Sequence, residues 1–235
     1  MKQLDPQAQM SAIKVFVFDA YGTLLDVHSA VARSLDDLGD AAPAISEIWR
    51  TKQLEYSWLR SLMGEHADFW QITADALTFA LRCHDMEDQA RHDRLMNLYQ
   101  KLLAYNDALE TLEFLKARQH TTLVLSNGSQ AMLGEALGFA GLDRFLDSAL
   151  SIDKVGIYKP APRVYQLVLD YMSRRHKTCR AEEVLFVSAN AWDVAGASSF
   201  GFRVAWINRF NRPPEILPGG PDLIIKSLSE LAPLG

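Results

Sequence analysis

The sequence predicts an α/β fold: a parallel-sheet core with helices on both faces, interrupted by an inserted helical cap. Three observations carry this reading. Short apolar, β-branched runs alternate with helix-period stretches from about residue 107 to the carboxyl end. A long segment, about 28 to 105, has helix periodicity and almost no strand signal. Three apolar runs each stop abruptly in a compact polar cluster. Alternating strand and helix imply parallel strands with right-handed crossovers, and a purely helical segment after the first strand implies an insertion. The core is therefore expected over residues 1–27 and 106–235, and the cap over 28–105.

The first strand is the apolar run at 15–18, which ends on Asp19 and is followed by Tyr21-Gly22-Thr23. Within the insertion, Pro43 stands near the start of a helix, where its missing N–H costs little. The pattern then runs to about Met63. Ile45, Ile48, Trp49, Tyr56, Leu59, Leu62 and Met63 fall on one face, expected to pack on the other inserted helices. Arg50, Leu54 and Trp58, at steps of four, form a second stripe. That stripe suits a cleft or a subunit interface; a surface helix with stray apolar residues is the plainer alternative. Further helices are expected near 68–82 and 88–103.

Beyond residue 107 a helix through Leu112 and Leu115 leads to a strand at 121–125, which ends in Ser126-Asn127-Gly128. A helix ending near Gly138 precedes a strand at 145–150. Lys159-Pro160 lies in the loop before a helix at 164–172. The strand at 184–187 ends in Ser188 through Asp193. Strands at 203–207 and 223–225 and a closing helix complete the core.

Composition narrows the function classes. The 235 residues are 49% hydrophobic and 23% charged, ordinary for a globular protein. A net charge of -5 gives no electrostatic case for nucleic acid or an anionic membrane. Cys83 and Cys179 are far apart and belong to no CxxC pair, so neither a zinc site nor a disulfide is expected, which fits a reduced cytoplasmic setting. Asp5 and Pro6 stand where a signal peptide needs an apolar core, and no apolar run approaches membrane-spanning length. No GxGxxG follows a strand, so no nucleotide cofactor is expected.

Strand ends in one parallel sheet share an edge, so Asp19, Ser126-Asn127 and the Ser188 to Asp193 cluster can meet in one crevice. Lys159, in a loop between two of these strands, can neutralise carboxylates there. Taken singly, each cluster is ordinary turn chemistry. Their coincidence points to an active site.

DAYGTLLD, LSNG, YKP and SANAWD resemble the four sequence motifs of the haloacid dehalogenase superfamily, in order across nearly the whole chain. WRTKQLEYSWLRSLM and VSANAWD resemble its (S)-2-haloacid dehalogenase branch. The resemblance implies a Rossmann-like core under a cap, a homodimer, and cofactor-independent hydrolysis. The reaction it implies converts an (S)-2-haloalkanoic acid to the (R)-2-hydroxy acid and halide, with inversion at C2, through an aspartyl ester. It makes Asp19 the nucleophile, oriented by Thr23, and Lys159 the counter-charge, with Tyr165 near it. Asp193 would activate water, helped by Ser188 and Asn190. Ser126 would hold the substrate carboxylate and Arg50 the halide, assisted by Asn127. Ala20, Tyr21, Leu54, Phe69 and Trp192 would complete the substrate pocket.

The chemistry agrees with those residue types. Displacing halide beside a carboxylate needs an anionic oxygen, a cation to offset the substrate's charge and a place for the leaving group. An aspartate of ordinary pKa, about 3.9, is ionised at neutral pH without a separate base. The phosphatase majority of the superfamily carries a second Asp two positions after the nucleophile, as general acid and magnesium ligand; here Tyr21 stands there. Ser188-Ala189 replaces the paired acids of their last motif, so no metal is expected. Ala189 also departs from the branch, where Ser is frequent. The alternatives are a magnesium-dependent small-molecule phosphatase of the same superfamily and a catalytically silent binding protein on this fold.

Overall fold

The computed structural model describes residues 12–234. The signal-peptide argument on Asp5 and Pro6 therefore falls outside the described residues. Six parallel strands form one sheet, β1 (Val15–Phe18), β2 (Thr121–Ser126), β3 (Ser148–Ser151), β4 (Val184–Ser188), β5 (Arg203–Ile207) and β6 (Leu223–Ile225), in the order β3-β2-β1-β4-β5-β6. Every residue of β1 and β4 is buried, as expected of strands covered on both faces.

The order reverses at β1, and this is what builds the site. The chain moves outward through β2 and β3, then returns to lay β4 on the other side of β1. Phe18 pairs with Val124 on one flank and Val187 on the other, so Asp19 emerges level with Leu125 and Ser188. A crevice opens at the carboxyl ends of strands at such a switch point.

Between β1 and β2 the chain makes two single-turn helices, α1 (Ser29–Ala32) and α2 (Leu35–Leu38). Three longer ones follow: α3 (Ala42–Met63), α4 (Phe69–Arg82) and α5 (Gln89–Tyr99). Their ends follow local chemistry. Pro43 opens α3, and Gly64 closes it in the left-handed conformation with its N–H turned back to Arg60 and Ser61. Asp68 and Asp88 cap α4 and α5 by accepting the Gln71 and Arg91 N–H groups at 2.8 and 2.7 Å. The two crossings between cap and core lie side by side, with Asp26 N donating to Leu103 O and Tyr105 N to Leu24 O.

Helices α6 (Asn106–Ala117), α7 (Gln130–Phe139), α8 (Pro162–Arg174) and α9 (Ala191–Phe200) complete the core layers.

Four expectations need correction. The strand predicted at 145–150 starts three residues later. Asp143–Phe145 is a 3-10 turn, and Thr122 uses its hydroxyl and N–H on Phe145 O and the Asp147 carboxylate instead of extending the ladder there. The helix predicted to reach residue 103 ends at Tyr99, because Leu103 is drawn into the crossing through Asp26 N and Ser29 Oγ. The closing helix is a 3-10 segment, Leu228–Leu234. On α3, Ile45 and Trp49 are buried as expected, but Leu62 and Met63, on the last turn, are 85% and 69% exposed, since no described element covers that side of the turn.

One ion pair ties the core's last loops to the turn after β1. Arg209 grips Asp107 bidentately at 2.6 and 2.8 Å, stacks over Tyr105 at 4.2 Å, and donates to Thr23 O. Ser227 Oγ and Leu228 N donate to the same carboxylate. Burial pushes the Asp107 pKa up, but these donors outweigh it and hold it below the ordinary value. A carboxyl that titrates lower in the native state contributes its full stability above the unfolded pKa of about 3.9, and loses it as pH falls through the native pKa. Asp107→Asn is expected to cost about 2–3 kcal/mol in urea unfolding at pH 7. The gap to the parent should close below about pH 4; a constant gap would show that the charge contributes nothing.

Candidate active site

Asp19 leaves β1 with its N–H on Val187 O, which continues the β1–β4 ladder and aims the side chain into the crevice. It is 5% exposed. Its two oxygens are treated differently. Oδ2 accepts from Thr23 Oγ1 at 3.0 Å and Asn190 Nδ2 at 2.8 Å, while Oδ1 accepts from Lys159 Nζ at 3.1 Å. Thr23 is itself aimed, because its hydroxyl oxygen accepts the Ala189 N–H at 2.9 Å and leaves its proton for Asp19.

Lys159 is fully buried and also donates to Asp193 Oδ2 at 2.7 Å. Its backbone N–H is taken by Asn127 Oδ1, its carbonyl accepts from Trp58 Nε1, and its ammonium lies 4.9 Å from the Phe186 ring centre. Burial alone would lower its pKa, but the two carboxylates raise it above the ordinary lysine value. One cation serving two acids leaves a net negative charge in a dry site. The strain falls on Asp193: burial, and then the charge of Asp19, overcome the pull of Lys159 and lift its carboxyl to about 6.

Asp193 opens α9 and is fully buried. Tyr165, from α8, donates to its Oδ1 at 2.7 Å, and Ser188 Oγ approaches Oδ2 at 3.4 Å. Burial, and then Asp193, keep the Tyr165 phenol well above its ordinary pKa, so it stays a donor.

The cap contributes from α3. Arg50 donates through Nη2 to Tyr21 O and Asn190 Oδ1, both at 3.2 Å, and through Nη1 to Gln53 Oε1 at 2.8 Å. The second stripe of α3 does face a cleft: Arg50 and Leu54 line a small cavity with Asp19, Tyr21, Phe69, Ser126, Asn127, Asn190 and Trp192. The cavity holds about 10 Å³, scarcely one water. Its wall is aromatic, with Tyr21 stacked on Tyr99 at 5.7 Å and tilted against Phe69 at 6.0 Å. Ser126 Oγ accepts the Gly128 N–H at 3.1 Å, and its proton has no acceptor among the described residues.

Three predicted residues have partners that the sequence did not name. The Asn190 side chain bonds Asp19, Tyr21 O and Arg50, and its backbone carbonyl accepts the Asp193 N–H at 2.9 Å. Asn127 holds the Lys159 backbone and makes no hydrogen bond to Arg50 among the described residues. Ala20 does not line the cavity; its carbonyl closes the turn by accepting from Leu24 and Leu25 N–H groups.

Several contributors carry no sequence expectation. Gln53 and Ser57 continue the step of four from Trp49 on the buried side of α3, a signal hidden because both are polar. Gly196, three residues after Asp193 on α9, could have been found by that spacing. A Cβ there would fall 2.5 Å from both Tyr165 OH and Pro160 Cβ. At Gly128 it would meet Tyr21 Cε2 at 2.7 Å.

This geometry presents a carboxylate with one lightly bonded oxygen, a shared ammonium, a second acid with a raised pKa, and a guanidinium across a small cavity with an aromatic wall. The model of the haloacid dehalogenase-like hydrolases matches residues 13–201, from the start of β1 through the Asp193 helix. (S)-2-haloacid dehalogenase 4A of Burkholderia cepacia is 51% identical over 226 residues, 96% of each chain. A dehalogenase crystal structure, 52% identical, has a TM-score of 0.91 over 95% of this chain and 97% of its own. The L-2-haloacid dehalogenase of Xanthobacter autotrophicus, solved with chloropropionic acid covalently bound, is 34% identical with a TM-score of 0.87, covering 94% and 98%. With fold, family model and near full-length relatives in agreement, the chain belongs to the haloacid dehalogenase superfamily of hydrolases, in its L-2-haloacid dehalogenase (type II) branch.

Proposed function

We propose that this protein hydrolyses (S)-2-haloalkanoic acids to (R)-2-hydroxy acids and halide. The observation that carries the reading is the asymmetric hold on Asp19. Among the described residues Oδ1 has one donor, whereas Oδ2 has two. Oδ1 attacks C2 from the side opposite the halogen; the C–O bond forms as the carbon–halogen bond breaks, and the centre inverts. Ser126 and nearby backbone amides hold the substrate carboxylate, and Arg50 receives the halide. The apolar wall keeps bulk water out during attack. In the ester, Oδ2 is the carbonyl oxygen, and Thr23 and Asn190 stabilise the negative charge it gains when water adds. Asp193, positioned by Tyr165 and Ser188, takes the water's proton. Collapse expels the alkoxide, which takes the proton back from Asp193 and leaves as the hydroxy acid; the Asp19 carboxyl then releases the water's remaining proton and is a carboxylate again.

The donor set does not fit a magnesium ion. The Lys159 ammonium lies between the two carboxylates, and Tyr21 replaces the acid a phosphatase would use. Residues 28–105 act as a cap over a core of 1–27 and 106–235. A cavity of about 10 Å³ admits a haloacid only if the cap lifts. The partners are this small acid and its halide, with neither nucleic acid nor membrane. No helix among the described residues is long and apolar enough to cross a membrane. The two free cysteines support a reducing, cytoplasmic setting. The exposed Leu62 and Met63 support a homodimer; Leu62 borders an apolar groove of about 710 Å³ shared with Trp58, Pro162 and Phe200.

Incubation with each 2-chloropropionate enantiomer in EDTA should release chloride from the (S) form alone, with (R)-lactate as product. Asp19→Asn should abolish release while the thermal midpoint stays near the parent's. No chloride from the (S) form would sink the reading, and turnover of a phosphate ester on adding magnesium would favour the phosphatase. A stable parent that turns over neither would favour a binding protein.

Because Asp193 must be a carboxylate to accept the proton, kcat should fall about tenfold per pH unit well below about 6, with aspartyl ester accumulating in acid-quenched samples. A flat profile down to about pH 4.5 would remove Asp193 from that role.

Light scattering should give the mass of two chains for the parent and of one for Leu62→Glu. A monomeric parent would overturn the dimer.

A further inference from the structure

Gln53 lies at the middle of α3 and is 1% exposed. An amide out of water is costly unless its donor and acceptor are both used, and here both are. Nε2 donates to Thr73 Oγ1 at 2.7 Å and to Tyr99 OH at 3.0 Å, while Oε1 accepts from Arg50 Nη1 at 2.8 Å.

The direction of this amide follows from its neighbours. Thr73 donates its hydroxyl proton to Phe69 O at 2.6 Å, one turn back along α4. Its oxygen therefore offers Gln53 only lone pairs. A flipped amide would set oxygen against those lone pairs and an NH2 group against the Arg50 cation, two repulsive contacts in a buried place. Oε1 must face Arg50. The hydrogen bonds then run with one polarity from Arg50 through Gln53 and Thr73 to Phe69 O, while Arg50 Nη2 reaches Asn190 Oδ1, and Asn190 Nδ2 reaches Asp19.

Arg50 stands between two small cavities. One holds Asp19; the other, behind it, is lined by Ser46, Trp49, Gln53 and Tyr99. Gripped from the rear cavity, the guanidinium keeps its orientation toward the front one. We propose that Gln53 is a positioning residue that, through an amide polarised by Thr73, fixes the Arg50 guanidinium toward the departing halide. The proposal rests on the dehalogenase reading above.

The test compares (S)-2-chloropropionate with (S)-2-bromopropionate. Both form the same aspartyl ester, so the ratio of their kcat/KM values reports the displacement step and not ester hydrolysis. Chloride is the poorer leaving group and depends more on Arg50. Gln53→Met, which keeps length and volume, is expected to lower kcat/KM for the chloro acid about 10²-fold, as a misplaced group of this kind does, and the bromo acid less. The bromo-to-chloro ratio should rise severalfold. Thr73→Val, which never touches Arg50, should move the ratio the same way by less, and Thr73→Ser, which keeps the hydroxyl, should restore the parent's ratio. Calorimetric titration of the resting protein with sodium bromide gives a reading without turnover: Gln53→Met should weaken bromide binding. Equal losses for both substrates with unchanged bromide affinity would overturn the proposal and leave the activity standing. A parent that releases neither halide would instead sink the dehalogenase reading, and bromide affinity alone would then decide whether Gln53 positions Arg50.

Discussion

A lysine ammonium taken wholly out of water has to be met by opposite charge, and Lys159 meets that demand with Asp19 and Asp193. Much of the molecule serves this arrangement. β1, α9 and the loop before α8 converge to supply the three groups, the β2 loop fixes the lysine backbone through Asn127, and the cap reaches down to the same backbone through Trp58. Without the cation, two acids would share a low-dielectric site and both would resist ionisation. With it, one negative charge remains, and the two acids part in character. Asp193 is driven up to about 6, while Asp19 keeps Lys159, Thr23 and Asn190 as donors.

The cap supplies what the core lacks: a second cation and an apolar roof. Arg50 enters from α3, and its contacts with Tyr21 O and Asn190 Oδ1 tie the insertion to the turn after β1 and to the start of α9. Tyr21 is decisive here. Where an acid would favour a metal, a phenol held neutral by burial, stacked on Tyr99 and pressed against Gly128, forms the wall instead. A glycine at 128 is the condition for that wall, as Gly196 is for the Tyr165 bond to Asp193.

The sequence by itself determined the order of strands and helices, the place of the insertion and the residues at the sheet's carboxyl edge. A parallel sheet buried on both faces leaves continuous apolar runs, and the turns that end them leave polar punctuation. Arg50 and Leu54 were legible for a related reason, since a second stripe on a helix needs a second surface. Only the tertiary structure decided what lies across each face. Periodicity gives the angle at which a side chain leaves its helix, not whether a neighbour covers it there, so Leu62 and Met63 share a stripe with Ile45 and yet stand in solvent. Nor does it give the direction of a hydrogen bond. The Asn190 side chain turns to Asp19, and that of Gln53 to Arg50, because donors and acceptors pair through space, among groups that the chain brings together from both sides of the insertion.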